Sequence, residues 1–318
     1  MDILTLDQIK DVLPNVDLLP EIEQGFVAYS QGRSVVPPIG ELIMTDPPGD
    51  VHIKYGYITG DDYYVIKIAS GFYGNAALGL SSGNGMMLMF SQKTGEPVAI
   101  LVDEAYLTDV RTAVAGAISA KHLASTVVTC IGIMGTGTQA RLQLEYLQPV
   151  VACRKVMVWG RDADKCAVYA QDASERGFDV TTTLDAAELA RSCNLIVTTT
   201  PAESPLLTNA DELMPGTHIS AIGSDTYAKQ ELHAEILRRA DLVVADSIQQ
   251  CLERGEIHQA LKSGAIDENS VVELGNIIAG NAAGRADDVQ ITVADLTGVA
   301  VQDIQISKAV YEAFRNRG

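Results

Sequence analysis

The stretch Cys130-Ile131-Gly132-Ile133-Met134-Gly135-Thr136-Gly137-Thr138-Gln139-Ala140 decides the fold. The apolar run Val127 to Met134 reads as a strand, and a helix-compatible segment, Arg141 to Leu147, follows the Gly-x-Gly-x-x-Ala turn. A dinucleotide pyrophosphate needs that order. Gly135 permits a tight turn out of the strand. Gly137 has no Cβ to obstruct phosphate oxygens, and Ala140 is small enough for helix and sheet to pack closely. The amides of the first helical turn then face the anion, with the helix dipole behind them. A glycine pair also occurs in ordinary turns, so the surrounding pattern carries the inference.

That pattern alternates. Strand candidates follow at Lys155–Trp159, Asp179–Thr182, Leu195–Thr199, His218–Ile222 and Leu242–Ala245, with helix candidates between most of them. The expected fold class is α/β, a Rossmann-type doubly wound parallel sheet. Upstream the pattern changes. Residues 1 to about 33 read as helix, extended entry, helix, and Val35-Val36-Pro37-Pro38 cannot continue a helix. Short β-rich runs then crowd together at Val51–Ile58, Tyr63–Ala69, Met86–Ser91 and Pro97–Leu101, with turns at Gly60-Asp61-Asp62 and Thr94-Gly95-Glu96. They predict a mostly antiparallel sheet. An Ala-rich helix over about Thr108–Leu123, capped by Thr108 or Asp109, leads into the nucleotide fold. After Val289 the chain reads as strand, glycine turn and a final helix over about Asp303–Arg315 that returns to the first domain. The parallel sheet is thus inserted into an α+β first domain. The boundaries expected are 1–120 with 304–318 for that domain and 121–303 for the Rossmann domain.

With 318 residues, 47% hydrophobic and 20% charged, the composition is that of a soluble two-domain protein. No run reaches the ~18 apolar residues of a membrane span, and the acidic start Met1-Asp2-Ile3-Leu4 lacks signal-peptide features. Cytoplasmic residence is the expectation. A net charge of −18 argues against nucleic-acid and anionic-membrane partners. Five scattered cysteines suggest reduced thiols. His122, His218, His233 and His258 lack ligand spacing, so no metal is expected. Ser70, Ser81 and Ser82 lack a nucleophile-elbow setting.

Several landmarks in this order resemble the ornithine cyclodeaminase/mu-crystallin family: Lys67 in a β-run, Thr108-Asp109-Val110-Arg111-Thr112-Ala113, the glycine loop, Gly223-Ser224-Asp225 with Lys229-Gln230-Glu231-Leu232, and Thr297-Gly298-Val299-Ala300-Val301-Gln302-Asp303. The resemblance implies a Rossmann domain inserted into an α+β substrate and dimerisation domain, a bound nicotinamide cofactor, a homodimer, and chemistry at the Cα of a small amino or imino acid. Lys67, a cation inside the apolar run Val65-Ile66-Lys67-Ile68, needs a partner, and a substrate carboxylate would serve. Arg111 has the fork geometry for a carboxylate; in the family its counterpart lies between substrate and cofactor. Asp225 follows a parallel strand at its carboxyl end, and the family's aspartate there faces the reacting nitrogen, so Asp225 and Lys67 are the catalytic candidates. Lys229 and Glu231 read as scaffold or surface residues.

His52 and Lys54 alternate in Val51-His52-Ile53-Lys54-Tyr55, so a strand points both to one face, where they would bind a second substrate carboxylate or else lie solvated. The family's Pro-x-Arg appears as Pro37-Pro38-Ile39. His52, Lys54 or Arg33 would have to replace that arginine, and ornithine as substrate is put in doubt. Glu41 is a local acid without an assigned role. Cofactor contacts are expected from Gly135, Thr136, Gly137, Thr138, Gln139, Ala140, Gly160, Arg161, Thr199 and Thr200, and by resemblance from Thr297, Gly298 and Val299. Gly160 with Arg161 suits a 2′-phosphate while Asp162 could serve NAD, which leaves the NAD(P)H choice open with a local lean to NADP. The leading reading is NAD(P)H-dependent reduction of a small imino acid, with iminosuccinate to aspartate as the substrate guess. The rivals are an ornithine- or lysine-type cyclodeaminase with catalytic NAD and a non-enzymatic nicotinamide-nucleotide binding protein.

Overall fold

Two pleated sheets of opposite construction account for most of the chain. A computed structural model describes residues 1–317, the side chains of residues 73 and 76 excepted. It divides into two compact units, Met1–Arg111 with the segment from Val299 on, and Thr112–Gly298. The division falls inside the connecting helix Tyr106–Leu123, earlier than the boundaries read from the sequence.

The first unit holds β1 (Asp2–Thr5), β2 (Ser34–Val35), β3 (Gly40–Thr45), β4 (Pro48–Ile58), β5 (Tyr63–Gly71), β6 (Gly83–Ser91) and β7 (Pro97–Val102), in the order β1-β7-β6-β5-β4-β2 with β3 also on β4. Every pairing is antiparallel except β1 with β7. Period-two alternation buries one face. Lys54 of β4, Val65 and Lys67 of β5, Met87 and Met89 of β6, and Ala99 and Leu101 of β7 are all buried, while Tyr55 and Tyr57 are exposed on the other face. The final helix, Ala300–Arg315, packs against β4, β5 and the helix Leu18–Ser30. From Ala300 to Ser307 it is buried on every side, so its polar residues Gln302 and Asp303 need partners.

Two expectations are corrected here. The chain starts with a strand, β1, and the helices Leu6–Val12 and Leu18–Ser30 follow it. Four residues carry no periodicity of their own; β1 exists because β7 offers a pairing edge. The connecting helix starts at Tyr106, and its first turn is capped by Asp103, whose Oδ2 accepts from the Leu107 amide at 2.8 Å, rather than by Thr108 or Asp109.

The second unit holds β8 (Ile131–Met134), β9 (Lys155–Trp159), β10 (Asp179–Thr183), β11 (Leu195–Thr198), β12 (His218–Ala221), β13 (Leu242–Ala245), β14 (Val271–Glu273) and β15 (Thr292–Asp295). All pair in parallel, in the order β10-β9-β8-β11-β12-β15-β13-β14. Strands β8, β11, β12 and β15 are buried at every position, as a sheet covered on both faces requires. The chain moves outward from β8 to β10 and then restarts at β11 on the other side of β8. That reversal is a topological switch point, and ligands of such sheets bind outside the carboxyl ends of the strands there. The first strand is shorter than the apolar run that announced it, because Val127 is exposed. Strand β14 has no counterpart in the sequence reading.

Candidate functional site

In the second unit, β8 delivers Gly135 to the switch point. Its φ is 121°, and a Cβ there would lie 2.5 Å from Thr199 Oγ1, so only glycine fits. Gly137 is the N-cap of the helix Thr138–Leu147, and a Cβ on it would project into open space. Arg141 fixes the loop: its guanidinium donates to the Thr136 carbonyl and to Asp172 Oδ2, the latter at 2.9 and 3.1 Å. Ala140 is fully buried, and its carbonyl accepts from the Tyr169 hydroxyl at 2.9 Å.

The loop borders a cavity of about 880 Å³ whose wall includes Gly135, Thr136, Gly137, Gly160, Thr199 and Thr200. Arg161 is on the same wall. A dinucleotide fits this arrangement: a glycine-lined opening, the amino end of a helix, and room for an extended ligand. Thr138, Gln139 and Ala140 lie in the first turn of the helix and not on the wall.

Glu231 braces the opening. Fully buried, it accepts from Thr198 Oγ1 at 2.6 Å, from the amide and hydroxyl of Thr200 at 2.6 and 2.7 Å, and from the Gly223 amide at 2.9 Å. One carboxylate thus ties the end of β11 to the end of β12, as scaffold and not as surface. Burial raises its pKa despite these donors. Glu256 in turn accepts the amides of Glu231 and Leu232 at 2.7 and 3.0 Å, and burial pushes its pKa up to about 8.

Asp225 lies beyond β12 with its side chain half exposed, and its Oδ1 accepts from Lys229 Nζ at 2.6 Å. Thr297 and Gly298 form a held turn: Asp246 accepts from Thr297 Oγ1 at 3.1 Å and from the Gly298 amide at 2.6 Å. Thr297 is buried, and neither residue is on the cavity wall. Among the described residues no group of His, Cys, Asp and Glu is placed to hold a metal ion, and no helix is long and apolar enough to cross a membrane.

The first unit gathers cations on its buried sheet face. Lys54 stands directly opposite Lys67 in the β4–β5 register, at 8% and 2% exposure, so neither is on a solvated face. Asp303 of the final helix, 1% exposed, lies 3.6 Å from Lys67 Nζ and 3.2 Å from Arg111 Nε. Arg111 also donates from Nη1 to Gln302 Oε1 at 2.8 Å. Asp303 is the member of this cluster to which the sequence reading assigns no role. The signal was present: an acid three residues into a helix with an apolar surround, and a lysine that needed a counter-charge.

His52 is set apart by its neighbours. Glu41, its register partner on β3, is 3.5 Å from its Nδ1, and Asp50 is 3.6 Å from its Nε2. Two carboxylates compete with any substrate carboxylate for this ring. Arg33 does not join the cluster; it is exposed and donates from Nε to Gln31 at 3.0 Å. Val299 is fully buried at the N-cap of the final helix.

The parallel sheet, its switch point and the glycine loop define a Rossmann-type dinucleotide-binding protein. The chain belongs to the ornithine cyclodeaminase/mu-crystallin family, whose model matches residues 1–318. It is 40% identical over 321 residues to an uncharacterized cyclodeaminase, y4tK, of Sinorhizobium fredii, covering 100% of this chain and 97% of that one. It is 34% identical over 283 residues to the iminosuccinate reductase of Paracoccus denitrificans, covering 87% and 86%. Among solved structures, an archaeal alanine dehydrogenase dimer with bound NAD superposes with a TM-score of 0.91 at 33% identity, covering 99% and 96%. The Thermococcus litoralis Δ1-pyrroline-2-carboxylate reductase in complex with NADH and L-proline gives 0.92 at 26% identity, covering 100% and 98%.

Proposed function

We propose that the protein is an NAD(P)H-dependent reductase of a small imino acid, working in reverse as an amino-acid dehydrogenase. The observation that carries this reading is the buried Lys67–Asp303–Arg111 cluster in a chain that also builds a dinucleotide loop. Buried cations held by one shared carboxylate are preorganised for an anion. Lys67 and Arg111 bind the α-carboxylate of the substrate. Asp225 stabilises the protonated imine and handles the nitrogen proton, with Lys229 paired to its Oδ1. Gly135 and Gly137 would hold the pyrophosphate of a reduced nicotinamide dinucleotide, which would supply a hydride to the imine carbon while the π electrons of the C=N bond pass to nitrogen.

Iminosuccinate is the substrate we assign, because Lys54 adds a third cation to the buried face, beside Lys67 in register. A dicarboxylate uses it; a cationic diamino acid is repelled by it. The similarity to an iminosuccinate reductase supports the same choice. The competing reading is cyclodeamination, which the y4tK relative's name favours.

Oxaloacetate and ammonia, which condense to iminosuccinate, should oxidise the reduced cofactor and yield aspartate. Pyruvate with ammonia and Δ1-pyrroline-2-carboxylate serve as monocarboxylate comparisons. Ammonia release from ornithine or lysine at catalytic cofactor would select the cyclodeaminase. Asp225→Asn should lower kcat by about 10²–10⁴-fold with cofactor affinity kept; a wild type inert on every imino acid tested would leave only the binding protein.

A homodimer completes the proposal. Leu42, Tyr55, Tyr57 and Met86 are exposed on the outer face of the first unit's sheet, an apolar surface suited to a second copy. Light scattering should give twice the chain mass, and Tyr57→Glu should shift it towards one.

A further inference from the structure

We propose that the dinucleotide taken by this chain carries a 2′-phosphate, NADP(H) rather than NAD(H), with Arg161 and Lys165 as the phosphate ligands. The inference rests on the nucleotide-binding reading above and concerns the residues just after β9. In Rossmann folds an acid at the end of the second strand binds both ribose hydroxyls and excludes a 2′-phosphate. Here that position is Gly160, where a side chain would crowd its neighbours. A Cβ on Gly160 would lie 2.8 Å from Cys166 Sγ and 3.1 Å from Thr136 Cγ2. Cys166 is a buried residue of the helix Ala163–Glu175, and Thr136 belongs to the pyrophosphate loop. An acid could enter only by displacing one of them.

The next acid along, Asp162, has another task. Its Oδ1 accepts the amides of Asp164 and Lys165 at 3.0 and 3.2 Å as the N-cap of that helix. The cap orients the carboxylate along its own helix, and the helix start offsets its charge. Glu203, the other acid on the cavity wall, follows β11 and not β9.

What the wall does offer is positive charge. Arg161 and Lys165 both line the cavity and both are exposed. Among the described residues neither side chain makes an ion pair or a hydrogen bond. The chain as a whole carries a net charge of −18, so two exposed cations on one wall oppose its overall sign. The exposed arginines Arg176, Arg191, Arg238 and Arg317 each sit on a carboxylate. Guanidinium and ammonium groups next to a capped helix start are the donors a phosphomonoester requires. The solved relatives described above carry NAD or NADH; the residues after β9 point this chain the other way.

The test is equilibrium binding without substrate, read by quenching of protein fluorescence or by calorimetry with NADPH, NADH and 2′,5′-ADP. NADPH should bind at least about tenfold tighter than NADH, the size of one or two charge-assisted contacts. The preference should shrink as salt rises. Arg161→Ala and Lys165→Ala should weaken NADPH and 2′,5′-ADP by about tenfold each while moving NADH by about threefold or less. NADH binding as tightly as NADPH, or variants that weaken both nucleotides equally, would overturn the assignment and leave the oxidoreductase reading intact. Binding of neither nucleotide would remove that reading as well.

Discussion

The glycine loop and the cation face are specified by the sequence in different ways. At the loop, the backbone does the work: Gly135 turns where a Cβ would strike Thr199, and Gly137 leaves open space at a helix start. Each requirement is met by a residue within the loop itself. On the cation face, Lys67, Arg111 and Asp303 come from a strand, the connecting helix and the final helix. Their meaning depends on charges that are close only after folding. A backbone site should therefore fail through steric strain, and a charge site through unpaired burial.

The largest effect should come from Asp303→Ala, which leaves Lys67 and Arg111 buried without the carboxylate they share. Removing one partner of a buried ion pair costs about 3–5 kcal/mol, and denaturant unfolding should show a loss of that size. A change within ~1 kcal/mol would mean the cluster is solvated. Lys67→Met should lower kcat/KM by about 30-fold or more, as loss of a buried charged contact to substrate implies, and should leave cofactor binding alone. An equal loss of cofactor affinity would mean that Lys67 serves the wrong ligand.

Gly135→Ala should act in the opposite sense. The strained backbone and the clash with Thr199 cost about 1–3 kcal/mol, and a displaced loop should weaken cofactor binding by at least about tenfold, a ~1.4 kcal/mol effect. Unaltered affinity in a titration would show that the loop does not hold the pyrophosphate.

A smaller, pH-dependent effect concerns His218, which lies in the second unit's sheet away from the loop. It is fully buried among Ser119 Oγ, Thr292 Oγ1 and Ser220 Oγ at 2.8–3.0 Å, and burial lowers its pKa from the ordinary 6.5 to about 3. The folded chain then binds fewer protons than the unfolded one between those values. Stability is full above about 6.5 and declines as pH falls towards 3. In His218→Gln the slope of stability against pH across that window should flatten.

The sequence exposed the fold where pattern and packing agree. Strands β9 and β13 match their apolar runs residue for residue, and the loop chemistry was readable because backbone needs leave glycines behind. Short edge strands were not readable: β1 and β14 have four and three residues and are defined by the strands they join. Asp103 escaped notice as a cap because the backbone at Glu104 and Ala105 has positive φ, which separates cap from helix. The sequence reads Glu231 as scaffold or surface, and its neighbours do not decide between the two, since the four donors that converge on it come from Thr198, Thr200 and Gly223. Asp303 stood in view within Val301-Gln302-Asp303, but its partners are distant in the chain.

The central claim is hydride delivery to the carbon of an imino acid, and isotope transfer tests it most directly. Reduced cofactor deuterated at the hydride-bearing carbon is incubated with the protein, oxaloacetate and ammonia, and the amino acid formed is analysed by mass spectrometry and proton NMR. The account predicts one deuterium at Cα of aspartate, with one cofactor oxidised per aspartate made. Cofactor left unoxidised with this and every other imino acid supplied, or aspartate formed without the label, would contradict it.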